Sequence, residues 1–208
     1  MYYLKLFNET LLKFDMNNTI TLKITNIQIL SADKKRFPEA LQLEVNEETI
    51  KEFLEQRIVP KNRTFVKNIL EANDLDFRDL KGVIDISKGL SLTDCYWIVT
   101  DDSLKFEDYN LFDNNFSSVL SLVAFTGYTS KIKGIATSPE FTTDGALPKA
   151  WRRINDEVYL YKGSTEYLKA SNGGNEPYSE YYVYQIEKTL GIKAIQYDLE
   201  KWKGMLAS

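Results

Sequence analysis

The stretch that decides the reading begins Thr142-Thr143-Asp144-Gly145-Ala146-Leu147-Pro148-Lys149-Ala150. It continues through the strand-like Val158-Tyr159-Leu160-Tyr161-Lys162 and a polar loop to a helical segment opening at Asn175-Glu176-Pro177-Tyr178-Ser179-Glu180. A small-residue turn, a lysine ending a strand and a carboxylate on the next helix are the parts of a phosphate clamp. The turn offers backbone N–H groups to oxyanions, the lysine neutralises them, and the glutamate holds the lysine. Each part alone has a plainer reading. A glycine in a polar turn supplies backbone freedom, and a strand-end lysine usually faces water. Glu180 falls at the margin of a helical apolar stripe of Tyr182, Val183, Ile186 and Leu190, where a solvated carboxylate is ordinary. The turn has neither P-loop nor dinucleotide-fold spacing. The order of the three parts is what raises the clamp above its pieces.

The bulk composition narrows the rest. The 208 residues suffice for one generous domain or two small ones, and 43% hydrophobic with 27% charged residues is ordinary for a globular chain. A net charge of −4 recruits no nucleic acid. The clusters Lys34-Lys35-Arg36 and Arg152-Arg153 read as solvated surface. Histidine is absent, which excludes Ser-His-Asp and Cys-His nucleophiles and histidine zinc sites together. The single Cys95 excludes an intrachain disulfide and reads as a buried small apolar residue. No basic-then-apolar leader stands at Met1, and no apolar run approaches the ~20 residues of a membrane span, so a cytoplasmic location is expected.

Taken in order, Tyr2–Phe7 reads as a strand, Asn8-Glu9-Thr10 as a turn, and Ile20, Leu22 and Ile24 as the alternating face of a second strand. Asn46 caps a predicted helix carrying Ile50, Phe53, Leu54 and Ile58. Pro60 opens another with Phe65, Ile69 and Leu70. Ile84 and Ile86 alternate like a short strand, and Leu90–Asp94 leads into an aromatic strand at Tyr96-Trp97. Tyr109–Asn115 reads as a structural turn, and Ser117 caps a short helix that stops at Gly127. The chain changes units near Lys131–Ile135, with 1–133 as one subdomain and 134–208 as the next. Ala194–Leu199 is a predicted strand, Lys201–Gly204 a turn and Met205-Leu206 a returning strand. That last strand is so short that the chain reads as cut off. The fold class is α+β: a mixed strand/helix subdomain, then an antiparallel sheet with one helix.

The run Ser138-Pro139-Glu140-Phe141-Thr142-Thr143-Asp144-Gly145-Ala146-Leu147-Pro148-Lys149-Ala150-Trp151, with Tyr159–Lys162 and Asn175–Tyr182, resembles the HipA family of bacterial serine/threonine kinases, in particular its CtkA-like branch. The likeness extends upstream through Ile84–Trp97 and the Tyr109–Phe112 loop. It implies an accessory subdomain followed by part of a kinase amino-terminal lobe. Thr143, Asp144, Gly145, Ala146 and Lys149 would then form the phosphate loop, Lys162 would contact ATP phosphates, and Glu180 would be its ion-pair partner. Thr142 and Thr143 become candidate phosphorylation sites. The family's carboxyl-terminal lobe, with its catalytic base and metal-binding residues, has no counterpart before Ser208.

The expectation is therefore an incompetent kinase fragment or split subunit, with no catalytic residue and no metal ligand of its own. It would bind ATP or Mg-ATP weakly at best and need no cofactor to fold. A protein partner is expected, either the missing kinase lobe or an antitoxin. In a different class, the chain is a non-catalytic binder on a kinase-derived scaffold, either a phage or mobile-element inhibitor of a host defence complex, anti-CRISPR-like in role, or an antitoxin-like subunit of a split toxin.

Overall fold

The computed structural model describes residues 1–18, 21–76, 79–132, 137–165 and 174–208. Strand β1 (Tyr2–Leu6) turns at Phe7-Asn8 into β2 (Glu9–Asn18), and β3 (Leu22–Ile29) runs back along it. With β4 (Tyr96–Val99), these make an antiparallel sheet in the order β3-β2-β1-β4. Alternation along β1 sends Tyr2 and Leu4 to one face and Tyr3 and Lys5 to the other. The first face packs under α1 (Glu39–Gln42) and α2 (Glu47–Glu55), with Phe14, Phe37, Leu41, Ile50, Phe53 and Leu54 in its core. The second closes on Trp97, Phe106 and Leu111. Lys5 survives burial there because its ammonium donates to Asp102 O at 2.6 Å and pairs with the Asp102 carboxylate.

Asn46 caps α2 as expected: its side chain accepts from Thr49 N at 2.9 Å and Thr49 Oγ1 accepts from Asn46 N at 3.0 Å. The helix ends at Glu55, short of Ile58. The next, α3 (Val66–Glu71), starts well after Pro60, because Arg63–Phe65 turn the chain and Phe65 takes φ 60. The Ile84/Ile86 alternation proves misleading. Residues 80–87 form helix α4, capped by Asp79, whose carboxylate accepts from Gly82 N at 2.8 Å. The deciding spacing is Leu80, Val83, Ile84 and Ser87, all buried at helical intervals. The loop after β4 is structural: Asn110 Oδ1 accepts from Phe112 N and Asp113 N. Helix α5 (Ser118–Thr126) starts on the Ser117 cap and stops at Gly127, where φ is 69 and a Cβ would overlap the Phe65 ring.

Beyond α5 the chain builds β5 (Lys149–Ile154) and β6 (Glu157–Lys162), turned at Asn155-Asp156 with φ positive at both. Helix α6 (Glu176–Thr189) follows, then the short hairpin of β7 (Glu200–Trp202) and β8 (Met205–Ala207), turned at Lys203-Gly204. The two hairpins join through one reciprocal pair, Lys162 N to Ser208 O at 3.0 Å and Ser208 N to Lys162 O at 3.1 Å. The architecture is α+β. Helix α5 is common to both halves: Leu120, Val123 and Ala124 pack with α3, whereas Phe125 packs with Ala150, Tyr161 and Met205. The subdomain boundary expected at 133/134 lies outside the described residues. No helix of the described residues is long and apolar enough to cross a membrane.

Three further expectations change, and the apolar stripe of α6 adds a finding of its own. Ala194–Leu199 pairs with no strand among the described residues, and its Ile195 is 78% exposed. Arg152 and Arg153 are not free surface. Arg152 stacks on Tyr161 and Trp202, and Arg153 lies over Phe116 while donating to Leu111 O and Phe112 O. Cys95 is half-buried rather than buried, and burial with the nearby Asp94 pushes its thiol pKa up, away from reactivity. The apolar stripe of α6 is not covered: Tyr182, Val183, Ile186 and Leu190 are all exposed, Ile186 at 58%.

Candidate functional site

Lys162 is the last residue of β6, and Glu180 sits just past the first turn of α6, which Pro177 helps to open. Strand and helix bring them together, with Lys162 Nζ 2.9 Å from Glu180 Oε1. Two further groups hold the pair. Tyr197 OH accepts from Lys162 Nζ at 2.7 Å, with its ring centroid 4.7 Å from the ammonium, and Ser208 Oγ donates to Glu180 Oε2. Burial works against the lysine's charge, but Tyr197 and Glu180 outweigh it and the pKa of Lys162 is raised. Tyr197 and Ser208 were not legible as site residues. Tyr197 lies in the segment that read as a strand, and its role comes from a loop returning beside α6.

The glycine turn lies between Phe141 and β5, and it folds onto its own side chains. Gly145 has φ 90, which favours glycine, and a Cβ on it would have to displace the Lys149 ammonium. Lys149 Nζ donates to Asp144 O at 2.6 Å, inside the turn. The Gly145 N–H is taken by Asp144 Oδ1 at 2.7 Å, so an anion approaching that donor meets a carboxylate already bound to it. Ala146 O accepts from both Thr64 N and Thr64 Oγ1, each at 2.8 Å. The two candidate phosphorylation sites are tied inward. Thr142 Oγ1 donates to Leu90 O at 3.1 Å, while Thr143 Oγ1 donates to Pro139 O at 2.5 Å and accepts from Trp151 Nε1. Modification of either hydroxyl requires the turn to open.

Two buried ions brace this turn, and neither drew notice in the sequence. Arg63, 2% exposed, donates through Nη1 to Glu140 O at 2.8 Å and Thr143 O at 3.3 Å, and through Nη2 to Lys149 O at 2.8 Å. One guanidinium thus holds the start, the middle and the end of the turn. Glu140, fully buried, accepts from Trp151 N at 2.9 Å, Ser121 Oγ at 3.2 Å and Ser138 Oγ. Burial lowers the Arg63 pKa to about 10 and raises that of Glu140, with each ion's field partly opposing the shift of the other.

Lys149 and Lys162 lie near enough that the charge of Lys162 helps depress Lys149, behind burial and the charge of Arg63. The arrangement is a cationic corner: one lysine fixed to a helix carboxylate, the other propping a glycine turn. Such a corner can hold an oxyanion. No group of three acidic, histidine or cysteine side chains among the described residues gathers to hold a metal ion. A cavity of about 720 Å³ borders Thr142 and Asp144, lined also by Leu22, Lys51, Ile58 and Leu80, while Lys162 and Glu180 are not among its walls. Comparison with known proteins finds no matching family model, no matching curated protein and no matching solved structure.

Proposed function

We propose that the chain is the accessory subdomain and ATP-binding portion of a HipA-like serine/threonine kinase, inactive in phosphoryl transfer without a second lobe. The observation that carries this reading is the Lys162–Glu180 pair, drawn from a strand end and the following helix beside a glycine turn. That arrangement is the one protein kinases use to position ATP phosphates. Lys162 fits the phosphates, the Gly145 N–H would join it once released by Asp144, and Mg²⁺ bound to ATP would supply charge neutralisation. Both Mg²⁺ ligands and a base for the substrate hydroxyl would come from the partner lobe. The uncovered stripe of α6 supports such a partner, since contiguous apolar patches of this kind mark protein contacts.

The test is a thermal melt with and without Mg-ATP. At a nucleotide concentration about ten times Kd, mass action gives roughly 1.4 kcal/mol, or about 3–5 °C for a chain of this size. The shift should vanish in Lys162→Ala. It should grow in Asp144→Ala, where the Gly145 N–H is released and a negative charge removed. An equal shift in wild type and Lys162→Ala would sink the assignment. A second reading keeps the scaffold and discards the nucleotide: a non-catalytic binder acting through α6. It is favoured by the turn's occupation by its own Asp144 and Lys149. It predicts no Mg-ATP shift in any of these proteins, together with a partner whose binding Ile186→Glu abolishes.

A further inference from the structure

A cavity with two lysines among its walls, remote in sequence from the clamp, lies between α4 and β4. Lys88 closes α4 in the left-handed conformation, with φ 55, its N–H bonded to Ile84 O and its carbonyl to Ile98 N. The residue as a whole is only 7% exposed, though its ammonium keeps some contact with solvent. No carboxylate among the described residues pairs with its ammonium. The ammonium lies 5.0 Å from the centroid of Tyr109, a partial compensation for lost hydration. A largely desolvated cation at a cavity wall, without an ion partner, favours an anion beside it.

Lys88 lines a cavity of about 260 Å³ together with Tyr2, Lys81, Asp85, Ile98 and Thr100. The one carboxylate there is already engaged: Asp85 accepts from Tyr2 OH at 2.6 Å through one oxygen and from Lys81 Nζ at 2.6 Å through the other. Lys81, Lys88 and Asp85 leave the cavity with one net positive charge. Its volume holds several waters' worth of space, enough for a small oxyanion with part of its hydration shell. Burial lowers the Lys88 pKa, with Asp85 opposing, as expected of a cation short of counter-charge.

We propose that this cavity is a binding site for a small oxyanion, a phosphate or a carboxylate. Lys88 is its principal charge, and Lys81 and the Thr100 hydroxyl are secondary donors. Ile98 and its neighbours give the carbon body of a carboxylate an apolar wall, which phosphate would not use. The site is independent of the nucleotide reading.

The experiment titrates the full chain with inorganic phosphate and, separately, with acetate at constant ionic strength set by sodium chloride, following backbone amide shifts by NMR. Saturable shifts at Lys88, Val99 and Thr100 are expected with at least one anion, and comparison of the two tells phosphate from carboxylate. Lys88→Met should weaken binding at least tenfold, whereas Lys162→Ala should leave these shifts in place. Should Lys88→Met fail to fold, Thr100→Val serves instead, with an expected threefold loss. The proposal is overturned if neither anion gives saturable shifts at these amides, or if the substitutions leave the affinity unchanged.

Discussion

Arg63→Ala is expected to lower the free energy of unfolding by about 3–5 kcal/mol, a large fraction of what a domain of this size possesses. The side chain donates to three carbonyls that water reaches poorly, at Glu140, Thr143 and Lys149. Truncation leaves them unpaired and opens a cavity under the turn. The guanidinium's own burial is unfavourable, as its lowered pKa of about 10 records. Methionine, which fills space without burying a charge, should therefore cost distinctly less than alanine. Both variants should free the turn. Denaturant melts measure the first effect, and tryptic cleavage after Lys149 measures the second. Cleavage in both variants with stability lost mainly in alanine separates anchoring from packing. An alanine variant as stable as wild type would show that Arg63 does not anchor the turn.

Glu140→Ala should cost about 2–4 kcal/mol, because Trp151 N–H loses its acceptor and the Ser138 hydroxyl must find another, whereas Ser121 Oγ keeps Trp151 O at 2.9 Å. The glutamine variant keeps most of the volume and one acceptor, and it isolates the charge. The folded-state pKa of Glu140 is raised, so the folded chain holds that proton more tightly than the unfolded one. Its contribution is fully present below the ordinary glutamate value of about 4.3 and is lost as pH rises through the raised folded value. The stability of wild type relative to Glu140→Gln should therefore be greatest near pH 4 and shrink toward pH 7, as read from paired thermal melts. A difference that grows with pH would mean that the three donors and Arg63 outweigh desolvation.

These two residues show where reading the chain by pattern stops. Caps and stripes are local, and they located α2, α5, β6 and α6, because the groups that form them lie within a few residues of one another. The Ile84/Ile86 alternation misled because two residues cannot tell period 2 from period 3.6, and the burial of Leu80, Val83 and Ser87 settles it. Ala194–Leu199 has strand composition, but a strand needs a partner, and β6 is paired with β5 and, at its end, with Ser208 instead. Arg152 and Arg153 looked like surface because charge alone says nothing about a nearby Trp202 or Phe116.

Sequence by itself determined the α+β class, the helix caps, the exclusion of histidine chemistry, and the order of glycine turn, strand lysine and helix glutamate. Those are properties of residue type and short spacing. Tertiary structure alone decided that Lys162 meets Glu180 at 2.9 Å under Tyr197, and that the turn is clamped by Arg63, 77 residues upstream of Glu140. It alone decided that Lys88 is buried without an ion partner among the described residues, and that the apolar stripe of α6 is left uncovered. The physical reason is the same in each case. Burial and counter-charge are set by segments far apart in the chain, and no local pattern carries their distance.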